Sequence, residues 1–227
     1  MRERRVSPWS SPQTVAGFEQ AAANTNLLWF AEQERNGRRD ALALDVGCGA
    51  ARNAAPLAAS GWRVFGTDSS WPMLEAAARR TRANAVDRRV HLTQATMTSL
   101  PVASRSADLL IAHGIWNLAR SGAEFRQAVR EAARAAKPGA GLFLFTFSRH
   151  TLPESTVPVP GETFVFNQFS GEPQCFLTEE QLLEELAAAG FHPDPAIPLR
   201  ELNRPQGPLR QASGPVIYEG TFRLSTA

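Results

Sequence analysis

Residues 42–49 read Leu-Ala-Leu-Asp-Val-Gly-Cys-Gly, and from residue 62 the chain runs Trp-Arg-Val-Phe-Gly-Thr-Asp. An apolar run into a glycine turn, a helical stretch and a second apolar run closed by an acid make a strand–helix–strand unit. That unit is half of a nucleotide-binding α/β sheet. Asp45 stands two positions before the first glycine, and Asp68 closes the second strand. Two acids at adjacent strand ends suit a ligand that carries a cationic amine on one side and a ribose on the other.

Working outward, the pattern continues. Strands are predicted at 42–47, 62–67, 89–95, 107–113 and 141–147, with helices near 52–60, 72–83 and 122–136 between them. Alternation of this kind gives a parallel sheet with right-handed crossovers. Upstream, residues 12–36 read as one helix with Phe18, Ala22, Leu28 and Trp29 on its apolar face. Downstream, residues 215–224 read as a last strand, antiparallel beside 196–199. The fold expected is α/β, Rossmann-like: a doubly wound, mostly parallel seven-stranded sheet with helices on both faces and an antiparallel last strand.

Local signals fix the helix ends. Ser121-Gly-Ala-Glu124 and Thr178-Glu-Glu-Gln181 have capping-box spacing. Lys137-Pro138-Gly139 stops the first of these helices, and Gly190 ends the second with Phe191 placed to fold back on it. Pro72 suits a first turn, and Pro56 is accommodated only if Asn53 is the N-cap. Between 151 and 176, Pro153, Pro158, Pro160, Gly161, Gly171 and Pro173 surround the strand-like stretch 162–169, which reads as an inserted hairpin or lid. Residues 201–213 read as another Pro/Gly loop. One domain results, in four parts: a helical cap (1–38), a core (39–150), the lid (151–176) and a closing helix with a strand pair (177–227).

With 227 residues, 43% of them hydrophobic and 20% charged, the chain has the composition of an ordinary single globular domain. Arginine carries almost all the positive charge, Lys137 being the one lysine, and the net charge is only +2. Arg and Glu are interspersed on helices instead of forming a basic stripe, so a nucleic-acid partner is not expected. A contact with an acidic partner is left to Arg2, Arg4 and Arg5. Cys48 and Cys175 are too few and too far apart for a disulfide framework or a metal site, which fits a reducing compartment. The first twelve residues lack an apolar leader core, and the longest apolar run, near 141–147, cannot span a bilayer. A cytoplasmic protein without membrane partner is the expectation; the oligomeric state is not written in the sequence.

Glycines 47 and 49 let a ligand approach the backbone closely. A dinucleotide fingerprint would place glycine at position 52 and no acid at 45, whereas the chain has Arg52 and Asp45. The turn therefore faces a cofactor without a diphosphate.

Asp45-Val-Gly-Cys-Gly-Ala-Ala, Asp68, Leu100-Pro101 and Lys137-Pro138-Gly139, in that order and spacing, resemble the class I S-adenosylmethionine-dependent methyltransferases. The resemblance covers about residues 40–195 and is closest to the small-molecule branch (methyltransferase domain 11-like). It implies S-adenosyl-L-methionine as cofactor and a small-molecule methyl acceptor. By resemblance, Asp45 lies near the cofactor's amino group, the turn of Gly47, Cys48 and Gly49 passes under the methionine portion, and Asp68 bonds the ribose hydroxyls. Ser69, Met73, Ala95, Thr96 and Met97 would hold the adenine. Two positions depart from the family: Ala51 replaces the third glycine, a small change, and Thr96 replaces an acid, which leaves the adenine amine to a hydroxyl or the backbone.

Methyl transfer from a sulfonium is an in-line displacement, so holding the acceptor collinear with the S–methyl bond is the main contribution and a base is optional. His113, ending the fourth strand beside Trp116 and Asn117, and His150, beside Arg149 after the fifth, are the candidate bases. His113 is also counted with the cofactor residues. His91 and His192 read as structural. Of Trp9, Phe18, Trp29, Trp71 and Trp116, one or two are expected to touch ligand, Trp71 first among them on the adenine side. Two other readings stay open: a non-catalytic S-adenosylmethionine-binding protein, and an NAD-linked oxidoreductase, against which Asp45 and Arg52 argue.

Overall fold

A computed structural model describes residues 8–35, 38, 40–204 and 214–226. Arg2, Arg4, Arg5 and most of the 201–213 loop lie outside the described residues. The helices are α1 (Pro12–Gln20), α2 (Thr25–Arg35), α3 (Ala54–Ala59), α4 (Trp71–Ala83), α5 (Gly122–Ala135) and α6 (Glu179–Ala188). The strands are β1 (Leu42–Val46), β2 (Arg63–Asp68), β3 (Val90–Gln94), β4 (Ala107–His113), β5 (Ala136–Phe147), β6 (Val165–Phe166), β7 (Gln174–Cys175), β8 (Phe191–Pro193), β9 (Arg200–Leu202) and β10 (Ile217–Leu224).

The main sheet runs β3-β2-β1-β4-β5-β10-β8, with β9 also paired to β10. β1 to β5 are mutually parallel, and β10 runs antiparallel to β5, β8 and β9. The doubly wound α/β sheet of the sequence reading is thus present, with eight strands in place of seven. The chain reverses its winding between β1 and β4, which opens a crevice at their carboxyl ends.

Side chains alternate across the sheet, as a sheet covered on both faces requires. Leu44, Leu110 and Leu142 join α5 and α6 in one core layer, while Ala43, Leu109, Ile111 and Phe143 join α2 and α3 in the other. Asp108 closes the sheet's lower end: its carboxylate accepts from Leu42 N–H (2.9 Å) and Lys137 Nζ (2.7 Å). Lys137-Pro138-Gly139 therefore opens β5 instead of ending a helix, and the pairing of β4 with β5 shifts register between Ala107 and Leu109.

Three further expectations are corrected. The 12–36 helix is two helices, because Asn24 Oδ1 accepts from Leu27 N–H (3.0 Å) and caps a new start. The phase shift buries Leu27, Phe30 and Ala31, and leaves Trp29 half exposed. Glu124 does not close a capping box on Ser121: Ser121 Oγ accepts from Glu124 N–H, but the Glu124 carboxylate takes the Arg120 N–H (2.7 Å). The partner of β10 is β9 at Arg200–Leu202, just past the predicted 196–199 segment. Phe191 begins β8 and folds back on α6 as expected, sharing a core layer with Leu182 and Leu186. The Thr178–Gln181 box is complete.

Residues 162–169 supply one arm of a short hairpin, β6 pairing with β7. The foot of this insertion is not detachable. Phe164, Val165 and Cys175 belong to the main core layer. The Arg149 guanidinium donates to the carbonyls of Leu152, Pro153, Glu154 and Thr156, and lies 4.9 Å over the Phe166 ring.

Candidate active site

A cleft of about 420 Å³ lies at the carboxyl ends of the strands. Gly47 comes from the turn after β1, Asp68 and Ser69 from the end of β2, and Ala95, Thr96 and Met97 from the segment after β3. Ile115, Leu118, Arg120 and Glu124 follow β4; Ser170, Glu172, Pro173 and Gln174 come from the hairpin, and Trp9 from the amino-terminal turn.

The glycine turn is forced by its surroundings. Gly47 has φ +69°, and a Cβ there would meet Ile115 Cδ1 at 2.6 Å; Gly49, at φ +52°, sits under Phe18 of α1. Ala51 also adopts a left-handed φ of 58°, and it is fully buried. The replacement of a third glycine is thus not free: a Cβ in this region costs about 1–2 kcal/mol. The turn orients its own acid. Asp68 Oδ2 accepts from Gly49 N–H (2.9 Å) and Oδ1 from Ser70 N–H (2.8 Å). Burial still pushes the Asp68 carboxyl upward, against the pull of those backbone donors.

Asp45 is almost wholly buried, and its Oδ2 has no hydrogen-bond partner among the described residues. Burial pushes its carboxyl up to about 7, with the nearby Arg52 cation opposing and the Asp68 charge reinforcing that rise. Arg52 reaches across the turn, donating from Nη2 to His113 Nδ1 at 2.8 Å.

His113 stacks on Phe145 at 4.3 Å, with Nε2 3.3 Å from Asn24 Nδ2. Burial and the Arg52 charge hold its pKa down at about 3. The structure therefore does not bring His113 into the cleft as a base: the nitrogen that would take a proton already accepts from Arg52. His150 is also elsewhere, with Nδ1 2.6 Å from Glu201 Oε1 of β9.

Of the other sequence-predicted residues, Gly47, Asp68, Ser69, Ala95, Thr96 and Met97 meet in the cleft. Asp45, Cys48 and Gly49 lie beneath it in the turn. Met73 is a correction: it is buried with Val15, Ala50 and Ala76 under the cap and does not line the cleft. Trp71 is another, being 59% exposed with Nε1 donating to Glu75, while Trp9 takes the place at the cleft wall. Thr96 Oγ1 lies 3.1 Å from Thr98 Oγ1.

Sequence reading missed Arg120, Glu124 and the hairpin tip. Arg120 Nη2 reaches Glu172 Oε2 at 3.3 Å, an ion pair joining the segment after β4 to the insertion. Its signal was weak, a lone Arg before a helix cap.

Comparison with known proteins agrees with this geometry. Residues 43–139 match the family described as "Methyltransferase domain". Over this stretch the chain is similar to a methyltransferase domain, in agreement with the motifs. A demethylmenaquinone methyltransferase of Clavibacter sepedonicus is 30% identical over 164 residues, which cover 65% of this chain and 64% of that relative. The chain thus spans less than two thirds of the length of the curated relative it matches. Among solved structures, a SAM-dependent methyltransferase of Methanosarcina mazei superposes with a TM-score of 0.68 at 19% identity, over 91% of this chain and 100% of that one. The 1,6-didemethyltoxoflavin-N1-methyltransferase of Burkholderia thailandensis, with S-adenosylhomocysteine bound, gives 0.63 at 19%, over 88% and 79%. These two likenesses concern the fold.

Domains of this class take S-adenosylmethionine, and the residues present fit it. The buried, partnerless Asp45 oxygen calls for a cation, the Asp68 carboxylate opens into the cleft, and the turn is built from residues without bulk.

Proposed function

We propose that the protein transfers a methyl group from S-adenosylmethionine to a small-molecule acceptor in the cytoplasm. The observation that carries the reading is the pair of acids at adjacent strand ends: Asp45 buried without a partner beneath the glycine turn, and Asp68 in the cleft beside it. In this reading Asp45 holds the ammonium and Asp68 the ribose hydroxyls. Ser69, Ala95, Thr96 and Met97 enclose the adenine. When bound, the sulfonium supplies an electrophilic methyl group.

The chain's own task is then positioning. The ionisable residues lining the cleft are Asp68, Arg120, Glu124 and Glu172, and Glu124 and Glu172 are engaged by Arg120. The acceleration then rests on holding the acceptor in line. The acceptor lies between Ile115 and Leu118 on one side and the hairpin tip on the other, with residues 151–176 as the lid. A small molecule fits a cleft of about 420 Å³, and two of the three similar methyltransferases named above carry a small-molecule acceptor in their names, demethylmenaquinone and 1,6-didemethyltoxoflavin. Two buried free cysteines accord with a reducing compartment. No helix among the described residues is long and apolar enough to cross a membrane.

The test is transfer of a labelled methyl group from S-adenosylmethionine in a metabolite-extract screen. Label in an organic product, lost with Asp68→Ala, supports the reading. Binding of S-adenosylhomocysteine without transfer to any acceptor would favour the non-catalytic binding protein.

A further inference from the structure

We infer that Arg120 reads the methyl acceptor, and that the acceptor carries an anionic oxygen group, a carboxylate or a phosphate, which replaces Glu172 on the guanidinium. This rests on the methyl-transfer reading above. Arg120 is the one cation among the described residues that line the cleft. Its side chain is 69% exposed, and its guanidinium makes a single hydrogen bond among the described residues, Nη2 reaching Glu172 Oε2 at 3.3 Å. Most of the guanidinium's N–H donors are thus unspent.

Pairs that fasten this fold look different. Arg126 holds Glu185 through Nε and Nη2 at 2.6–3.0 Å, and Arg223 holds Glu34 through Nη1 and Nη2 at 3.1 and 2.7 Å. Those carboxylates are 14% and 10% exposed, whereas Glu172 is 51% exposed and meets Arg120 through one nitrogen. An exposed pair of that kind costs little to open. A guanidinium matches a carboxylate or phosphate through two parallel bonds, so a ligand anion offers Arg120 a better partner than Glu172 does. As the ligand enters, Glu172 turns to water and a negative charge stays beside Arg120.

The other acids leave no comparable place for a cationic acceptor. Asp68 is taken by the ribose in the cofactor reading, and the Glu124 carboxylate is turned to the Arg120 N–H at 2.7 Å. Away from the cleft lining, Glu219 of β10 accepts from Asn24 and Asn26 at 2.6 Å each. With Ile115 and Leu118 lining the same cleft as Arg120, the acceptor expected has an apolar body and one anionic end.

The test uses the full chain, S-adenosylmethionine labelled in its methyl group, and a metabolite extract split on an anion exchanger. Transfer is expected with the retained, acidic fraction and not with the flow-through. Phosphatase treatment of the active fraction then names the group: loss of transfer marks a phosphate and survival a carboxylate, and either supports the inference. With that fraction as substrate, Arg120→Gln is expected to raise the apparent KM about 10- to 100-fold with kcat within about threefold, and Arg120→Lys to recover part of the loss. Glu172→Gln is expected to lower the apparent KM about two- to fivefold, because it removes the competing carboxylate. Both glutamine variants break the same ion pair, so a pair that only fastens the hairpin would shift KM in one direction in both. That result overturns the inference. So does transfer to an acceptor in the flow-through, an outcome that needs no variant to fold. If wild type binds S-adenosylhomocysteine by calorimetry and no fraction takes label, the methyl-transfer reading itself has failed and takes this inference with it; transfer without the opposed KM shifts sinks the inference alone.

Discussion

The floor of the cleft and its outer wall are built by different means. The floor, from Asp45 through Ala51 to Asp68, is backbone geometry: left-handed φ angles at 47, 49 and 51, and two main-chain N–H groups that aim the Asp68 carboxylate. The wall, from Arg120 and Glu124 to the hairpin tip, is side-chain chemistry on an insertion, joined across the cleft by one exposed ion pair. A backbone-built site admits few residue types at each position. A side-chain wall on a loop admits many, and that is where acceptor choice is free to vary.

The largest effect that would break this contrast is at Asp68. Asp68→Ala removes the acceptor of two ribose hydroxyls, and is expected to weaken S-adenosylhomocysteine binding about 100-fold by calorimetry. A loss under threefold would mean the floor does not hold the sugar.

Next comes pH. Asp45 is raised from 3.8 to about 7 by burial, so the folded protein binds this proton more tightly than the unfolded chain does. Stability from this group is therefore present below about pH 4 and falls as pH rises to 7. The ammonium needs the ionised form, so cofactor affinity moves the other way, rising about tenfold between pH 6 and 8. Asp45→Asn is expected to flatten both curves; a wild-type affinity independent of pH would remove Asp45 from the floor.

A smaller effect sharpens the backbone argument. Ala51→Gly relieves a left-handed alanine and is expected to stabilise the fold by about 1 kcal/mol, raising the melting temperature by about 2–4 °C. An unchanged or lowered temperature would show that packing around the buried methyl outweighs the strain. The smallest effect belongs to the wall: Arg120→Ala breaks an exposed pair worth about 0–1 kcal/mol and is expected to leave S-adenosylhomocysteine affinity within about twofold. A tenfold loss would make the wall part of the cofactor floor.

The same division decides what could be read from sequence. The β-α-β unit, the acids at 45 and 68 and the order of strands up to β5 were legible because each is enforced locally, by apolar periodicity, by glycine's φ range or by the end of a strand. The cap was misread because Asn24 restarts a helix and shifts its buried face, which alanine-rich periodicity does not reveal. Met73 and Trp71 were misassigned because position after Asp68 says nothing of which helical face turns to the cleft. His113 was visible as a strand-end histidine, but its engagement by Arg52 depends on residues brought together from β4, the turn, the cap and β10. Arg120 and the hairpin tip meet only through tertiary folding, and no local spacing announces it.

Crystals of the protein grown with S-adenosylhomocysteine test the central claim most directly. The account expects both ribose hydroxyls within hydrogen-bond distance of the Asp68 carboxylate and the ammonium on Asp45, with the tail lying along Gly47–Gly49. A nucleoside bound elsewhere, or an Asp68 carboxylate turned to bulk water beside an empty turn, would contradict it.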